Sequence, residues 1–257
     1  MIRTAAALSK LVVLAAGGSS LLGAFALAAN AQSAPASSAA PTAADRAASL
    51  NIAPLRIELD ATKSGATVML TNTSDRPIAV QVRLFAWNQE AGEDRYALST
   101  ELSVSPSITT IAPGTVQVVR VLRPGAASPG EKRFRLAIDQ LPDPALAQAG
   151  EAEARLRFTI PVFLDRDQAA PAKLTWQVVG GRVQLSNNGG QTVRIAGVTV
   201  KTAGGEPLPM ERNTLRYAHG QSTIEWDLVN GCAATPVTIT AQIDGQIVNA
   251  QVTPNCG

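Results

Sequence analysis

Ile78-Ala79-Val80-Gln81-Val82-Arg83-Leu84-Phe85-Ala86-Trp87 is the stretch on which the fold turns. Ile78, Val80, Val82, Leu84 and Ala86 fall on one face of an extended chain; Ala79, Gln81, Arg83, Phe85 and Trp87 fall on the other. A period of two places alternate side chains on opposite sides of a pleat, so the stretch predicts a half-buried β-strand. Just before it, Asn72-Thr73-Ser74-Asp75-Arg76-Pro77 is a run of turn formers, and Val68 and Leu70 belong to a preceding strand.

The same grammar repeats outward. Val116, Val118, Val119, Val121 and Leu122 form a β-branched run between Pro113-Gly114 and Pro124-Gly125. Phe134, Leu136 and Ile138 alternate ahead of Leu141-Pro142, and Leu156, Phe158, Ile160 and Val162 alternate again. Helical spacing is confined to a short turn expected at 144–148. Many short strands separated by Gly, Pro and Asn turns predict an all-β protein built from sandwiches.

Asp165-Arg166-Asp167-Gln168-Ala169-Ala170-Pro171 is charged, then small, then proline, which is the composition of an inter-domain linker. Beyond it a second strand series starts with Leu174, Trp176 and Val178. Val183 and Leu185 precede the turn Asn187-Asn188-Gly189-Gly190, and Val193, Ile195 and Val198 follow. Val237, Ile239 and Ala241 are expected to pair with Ile243, Ile247 and Val252 around Asp244-Gly245. The expected organisation is two β-sandwich domains at 50–166 and 172–257, joined by 167–171.

The first residues belong to a different class. Arg3 and Lys10 precede an apolar run from Leu11 to Ala28 that Gly17-Gly18-Ser19-Ser20 interrupts, and Ala29-Asn30-Ala31 fits a small-x-small cleavage site. Residues 1–31 therefore read as a signal peptide and predict export. Residues 32–49 are rich in Ala, Ser and Pro and read as a disordered leader. Losing Arg3 and Lys10 brings the formal net charge of +2 to zero, and no basic stripe points to nucleic acid or a membrane surface. The two cysteines, Cys232 and Cys256, read as a disulfide in an oxidising compartment. One histidine and no CxxC leave a thiolate–imidazole metal site without ligands.

Catalytic constellations are thin. His219, beside Gly220, reads as an exposed turn residue rather than a general base. There is no G-x-S-x-G and no phosphate loop. Glu90, Glu93 and Asp94 read as solvated charges of a hairpin turn. No enzyme, no cofactor and no small-molecule substrate is expected.

The segment 152–163, AEARLRFTIPVF, stands apart. One face carries Ala154, Leu156, Phe158, Ile160 and Val162; Glu153, Arg155, Arg157 and Thr159 take the other. It reads either as an ordinary core strand or as a long edge strand offering apolar face and backbone to a partner, with arginines and Pro161 limiting unwanted pairing.

The order of these motifs resembles the PapD-like periplasmic pilus (fimbrial) chaperones of the chaperone–usher pathway. The match is carried by Leu50–Asp60 with its Arg56, by Ser105-Pro106-Ser107-Ile108 with Ile111-Ala112-Pro113-Gly114, by Phe134–Pro142, and by Ala154–Phe163. The resemblance implies two immunoglobulin-like sandwiches in the periplasm, with pilus subunits and an outer-membrane usher as partners. It implies that Ala154, Leu156, Phe158, Ile160 and Val162 complete an unfinished subunit, and that Arg56 anchors the subunit's terminal carboxylate. The family's companion lysine has no counterpart, since no lysine lies between Lys132 and Lys173. Arg135 or Arg157 is left to substitute, or arginine anchors alone. The departure points to the branch associated with spore-coat-U-type pilins. The alternatives are a secreted structural or adhesive sandwich protein and a carbohydrate-active enzyme. The first is expected to lead with an alternating apolar extension, the second to cluster aromatics, and neither pattern occurs.

Overall fold

The computed structural model describes residues 50–143, 155–232 and 235–256. The expected signal peptide, the leader, the turn at 144–148 and Ala154 lie outside the described residues. Described secondary structure is all β apart from one 3-10 turn, Arg166–Gln168.

Among the described residues, the first sandwich holds ten strands. β1 (Leu50–Ala53), β3 (Gly65–Asn72), β8 (Val116–Leu122) and β6 (Ser103–Ser105) make one sheet in that order. The facing sheet runs β2 (Ile57–Leu59), β10 (Arg157–Leu164), β9 (Lys132–Gln140), β4 (Ile78–Glu90), β5 (Glu93–Leu98), and β7 (Ile108–Ile111) pairs with β4. Val68, Leu70, Val119 and Val121 from the first sheet meet Val80, Val82, Leu84, Leu136 and Ile138 from the second in one core. Each such side chain stabilises the fold by about 1.5–3 kcal/mol on burial. The alternation that opens the sequence therefore has its physical cause in this inner face.

The second sandwich sets β11 (Leu174–Val179), β12 (Arg182–Asn187) and β16 (Ser222–Asp227) against a sheet of β13 (Val193–Thr202), β14 (Pro207–Leu208), β15 (Arg216–Ala218), β17 (Val237–Ile243) and β18 (Gln246–Val252). Val183, Leu185, Ile195, Val200, Ile224 and Ile239 are among its core residues. Asp244 and Gly245 both have positive φ, at 47° and 88°, the tight hairpin turn that matches strand twist. Cys232 and Cys256 are bonded across a Cα separation of 5.5 Å, tying the end of the chain beyond β18 to the segment after β16.

Candidate functional site

β10 is zipped on one side only over most of its length. It pairs with β9 from Arg157 to Leu164, but β2 covers only Val162, Phe163 and Leu164 on the other side, in parallel register with Ile57, Glu58 and Leu59. Among the described residues, the second edge of Arg157–Pro161 carries no strand. The side chains divide in the same way. Leu156 is 42% exposed and Phe158 is half-buried, whereas Ile160 and Val162 lie inside the sandwich's own core. The apolar face free for a partner is thus shorter than the sequence pattern predicts, because the inner half of the alternation is already buried at home. Arg157 pairs with Asp139, which also accepts from Arg83 at 2.7 Å. Burial works to raise the Asp139 pKa, but the hydrogen bonds from Arg83 and Arg157 outweigh it and hold the carboxyl below its usual range.

Beside this open edge lies a groove of about 570 Å3, whose walls include Leu55, Tyr96, Arg135, Phe158, Leu215 and Tyr217. Arg135 sits opposite Pro161 in the β9–β10 register. Its guanidinium lies 3.7 Å from the Trp87 ring centroid and 4.9 Å from that of Tyr217. Its Nε is buried without a hydrogen-bond partner, and its guanidinium reaches the Tyr96 hydroxyl, which in turn donates to Asp94, rather than pairing with a carboxylate directly. A planar cation stacked between two rings and lacking a carboxylate is suited to receive one. Tyr96, on the groove wall, has its pKa pushed up to about 12, first by burial and then by the nearby Asp94.

Arg56 lines an adjoining groove of about 530 Å3 that shares Leu55 and Tyr217 with the first. Its cation is already engaged. Nε donates to Glu58 Oε1 at 2.6 Å, Nη2 lies 2.5 Å from the same oxygen, and Nη1 lies 3.7 Å from Asp244 Oδ1. The guanidinium also covers the Phe163 ring at 4.4 Å. So Arg56 and Arg135 line adjoining grooves of one cleft region, Arg56 ion-paired with Glu58 and Asp244 and Arg135 held only by Tyr96 and the two rings. Arg157 is directed to Asp139 instead.

Residues from both sandwiches also meet outside the two grooves. The Glu131 carboxylate, wholly buried, accepts from Arg133 Nε at 3.0 Å, Arg166 Nη1 at 2.6 Å and the Thr192 amide at 2.9 Å. Trp87, on what the sequence marks as the outer face of β4, is fully buried because Tyr217 and His219 of the second sandwich cover it. Gly92, with φ 78°, turns the β4–β5 hairpin, and a Cβ there would meet the Thr223 carbonyl at 2.9 Å. Arg216 Nη2 donates to the Gly92 carbonyl at 2.7 Å.

His219 corrects the sequence reading. It is 1% exposed, stands edge-on to Trp87 with centroids 4.3 Å apart, and neither ring nitrogen has a hydrogen-bond partner among the described residues. The Tyr-Ala-His-Gly pattern looked like a turn, but docking of the first sandwich covers it. Nothing local in the sequence marks Glu131, Gln89 or His219 as interface residues. The one legible signal was Trp87, a large apolar residue on the polar face of an otherwise alternating strand.

Comparison with known proteins matches residues 49–169 to the family model of the pili and flagellar-assembly chaperone, PapD N-terminal domain. No curated protein sequence matches the chain. Among solved structures, the Acinetobacter baumannii CsuC–CsuE chaperone–tip adhesion subunit pre-assembly complex, from archaic chaperone–usher Csu pili, superposes with TM-score 0.63. Identity is 20%, over 80% of this chain and 99% of that one. The E. coli chaperone DraB gives TM-score 0.59 at 19% identity, over 81% and 97%. The Pseudomonas aeruginosa CupB2 chaperone gives 0.55 at 22%, over 80% and 100%. Residues 49–169 carry the PapD N-terminal domain of pili and flagellar-assembly chaperones, and the chain shares the two-sandwich fold of the solved pilus chaperones.

Proposed function

We propose that this chain is a periplasmic chaperone that holds pilus subunits by lending them the open edge of β10, caps them until assembly, and delivers them to an outer-membrane usher. The observation that carries the reading is the edge of Arg157–Pro161, unpaired among the described residues, beside a cleft whose Arg135 is not ion-paired to a carboxylate directly. Solved relatives include one chaperone bound to a tip adhesion subunit and another bound to a pilin. A subunit strand laid along β10 gains ladder hydrogen bonds worth about 0.5–1.5 kcal/mol net each. Leu156 and Phe158, with Ile160 at the inner end, supply the apolar side chains, each large one worth about 1.5–3 kcal/mol when removed from water. In the sequence pattern Ala154 and Val162 are the two ends of that alternation.

The subunit's terminal carboxylate then enters the cleft. Arg135 offers an open guanidinium for it, whereas Arg56 must first give up Glu58 or Asp244. Arg135 thereby takes the place that the family pattern leaves without a lysine, and Arg56 flanks it. No bond is made or broken, and the reading needs no catalytic residue and no nucleotide.

The test is co-expression with a pilin-like subunit from the same genome, followed by purification from the periplasm. Phe158→Asp and Leu156→Asp are expected to abolish co-purification while the circular dichroism of the free chaperone is retained. Intact complexes in both variants would overturn the strand-lending reading.

A further inference from the structure

Gln89 lies at the far end of β4, two residues beyond Trp87 and at the tip of the β4–β5 hairpin. Its side-chain amide uses its whole hydrogen-bonding capacity. Nε2 donates to the Tyr217 carbonyl at 2.7 Å and to Asp94 Oδ1 at 2.9 Å. Oε1 accepts from the His219 amide at 3.0 Å and from the Ser222 hydroxyl at 2.8 Å. Two donors and two lone pairs are all that a primary amide possesses.

The pattern on the second sandwich is specific. The carbonyl of residue 217 and the N–H of residue 219 flank Ala218 on one edge of β15, whose other edge pairs with β13. A single residue of a neighbouring parallel strand bonds in this way, through its own N–H and C=O. Gln89 therefore acts as a one-residue strand, adding itself to β15 from the opposite sandwich.

The consequence falls on Arg135. Its guanidinium is held between Trp87, from the first sandwich, and Tyr217, from the second. That slot exists only while Tyr217 stays where Gln89 clamps its carbonyl. We propose that Gln89 is the positioning residue of the cleft, setting the separation of Trp87 and Tyr217 and thereby aiming Arg135 at a partner's terminal carboxylate. This rests on the reading of Arg135 as the carboxylate anchor.

The test is a cycle of affinities. The probe is the co-purifying pilin subunit, prepared with its free C-terminal carboxylate or as the C-terminal amide, titrated against full-length wild type, Gln89→Leu, Arg135→Ala and the double variant. A hydrogen-bonded guanidinium–carboxylate contact is worth about tenfold or more, so Arg135→Ala is expected to weaken the carboxylate form by that factor and leave the amide form unchanged. Gln89→Leu is expected to weaken the carboxylate form by about three- to tenfold and the amide form not at all. The double variant is expected to be no worse than Arg135→Ala. Equal losses of both forms in Gln89→Leu, or no loss in either, would overturn the positioning role and leave the anchor standing. If Arg135→Ala does not discriminate the two forms, the anchor reading itself falls, and the inference with it. Gln89→Met repeats the measurement should the leucine variant fold poorly.

Discussion

Acidification tests the buried interface most directly, through His219. The imidazole is pressed against Trp87, and its pKa is lowered from the ordinary 6.5 to about 3. Burial is the main cause; Arg133 and Arg135 push the same way, and Asp94 opposes them. The unfolded chain takes up this proton near its ordinary value and the folded chain only near the lowered one. Stability from His219 is therefore fully present above about pH 6.5 and is lost as the pH falls towards about 3. Each unit of separation is worth about 1.4 kcal/mol, so the whole window amounts to about 5 kcal/mol, and the fall to pH 5 alone to about 2 kcal/mol. The assay is denaturant unfolding, followed by tryptophan fluorescence, at steps from about pH 7 to about pH 4, on wild type and His219→Phe. The carboxylates titrate in both proteins and cancel in the difference. Phenylalanine keeps an aromatic edge against Trp87 and carries no proton. The wild type is expected to lose about 2 kcal/mol more than the variant between pH 7 and pH 5. Parallel profiles would mean that His219 is hydrated or ion-paired in solution, and would refute its placement between the sandwiches.

Two further substitutions probe what holds the halves. Glu131→Gln leaves Arg133 and Arg166 without their shared, wholly buried counter-charge and is expected to cost about 3 kcal/mol, the lower end for a broken buried pair because both arginines retain some solvent. Denaturant unfolding reads the loss, and faster proteolysis between Leu164 and Leu174 is expected alongside it. A change below about 0.5 kcal/mol, the scale of ordinary surface substitutions, would show that the network contributes little. Replacing Cys232 and Cys256 together by serine opens a loop spanning 24 positions and is expected to cost about 3.5 kcal/mol on the chain-entropy account. Hydrogen exchange should rise in β17 and β18 and not in β9; uniform change across the chain would contradict a local tether.

The sandwiches were legible because their cause is repetitive. A strand buried on one face must alternate, and Ile78–Ala86 or Phe134–Ile138 can do so only by facing a core. What stayed hidden depends on contacts that close over long sequence separations. Gln89 and Tyr217 are 128 positions apart, and nothing local distinguishes a glutamine that bridges two domains from one that meets water. His219 was misplaced for the same reason, since its burial comes from Trp87 and not from its neighbours in sequence. The limits of the donor face were unreadable too. Alternation runs unbroken from Leu156 to Val162, while the point at which β2 arrives and takes over the second edge is a property of the folded sheet.

That division of β10 bears on how a strand can be lent and recovered. A segment that leaves its own sheet to complete another would cost the lender its core, but the inner half here cannot leave. Ile160, Val162, Phe163 and Leu164 are buried, and the last three are paired on both sides. The outer half stays bonded to β9 whether or not a subunit occupies its other edge. Leu156 remains tied to Gln140 at 3.0 Å through its carbonyl. On the proposed reading, the free chaperone therefore needs no refolding after a subunit departs. The exposed apolar surface is also kept small, with Arg157 neutralised by Asp139 rather than removed. So small an apolar contact discriminates poorly among β-strands, because any alternating segment satisfies it. Selectivity must then come from the cleft, where a terminal carboxylate meets Arg135 and an internal loop would not. The Gln89 clamp and the Glu131 network matter to function on this argument. On the proposed reading they hold together the two walls of the feature that tells a chain end from a chain middle.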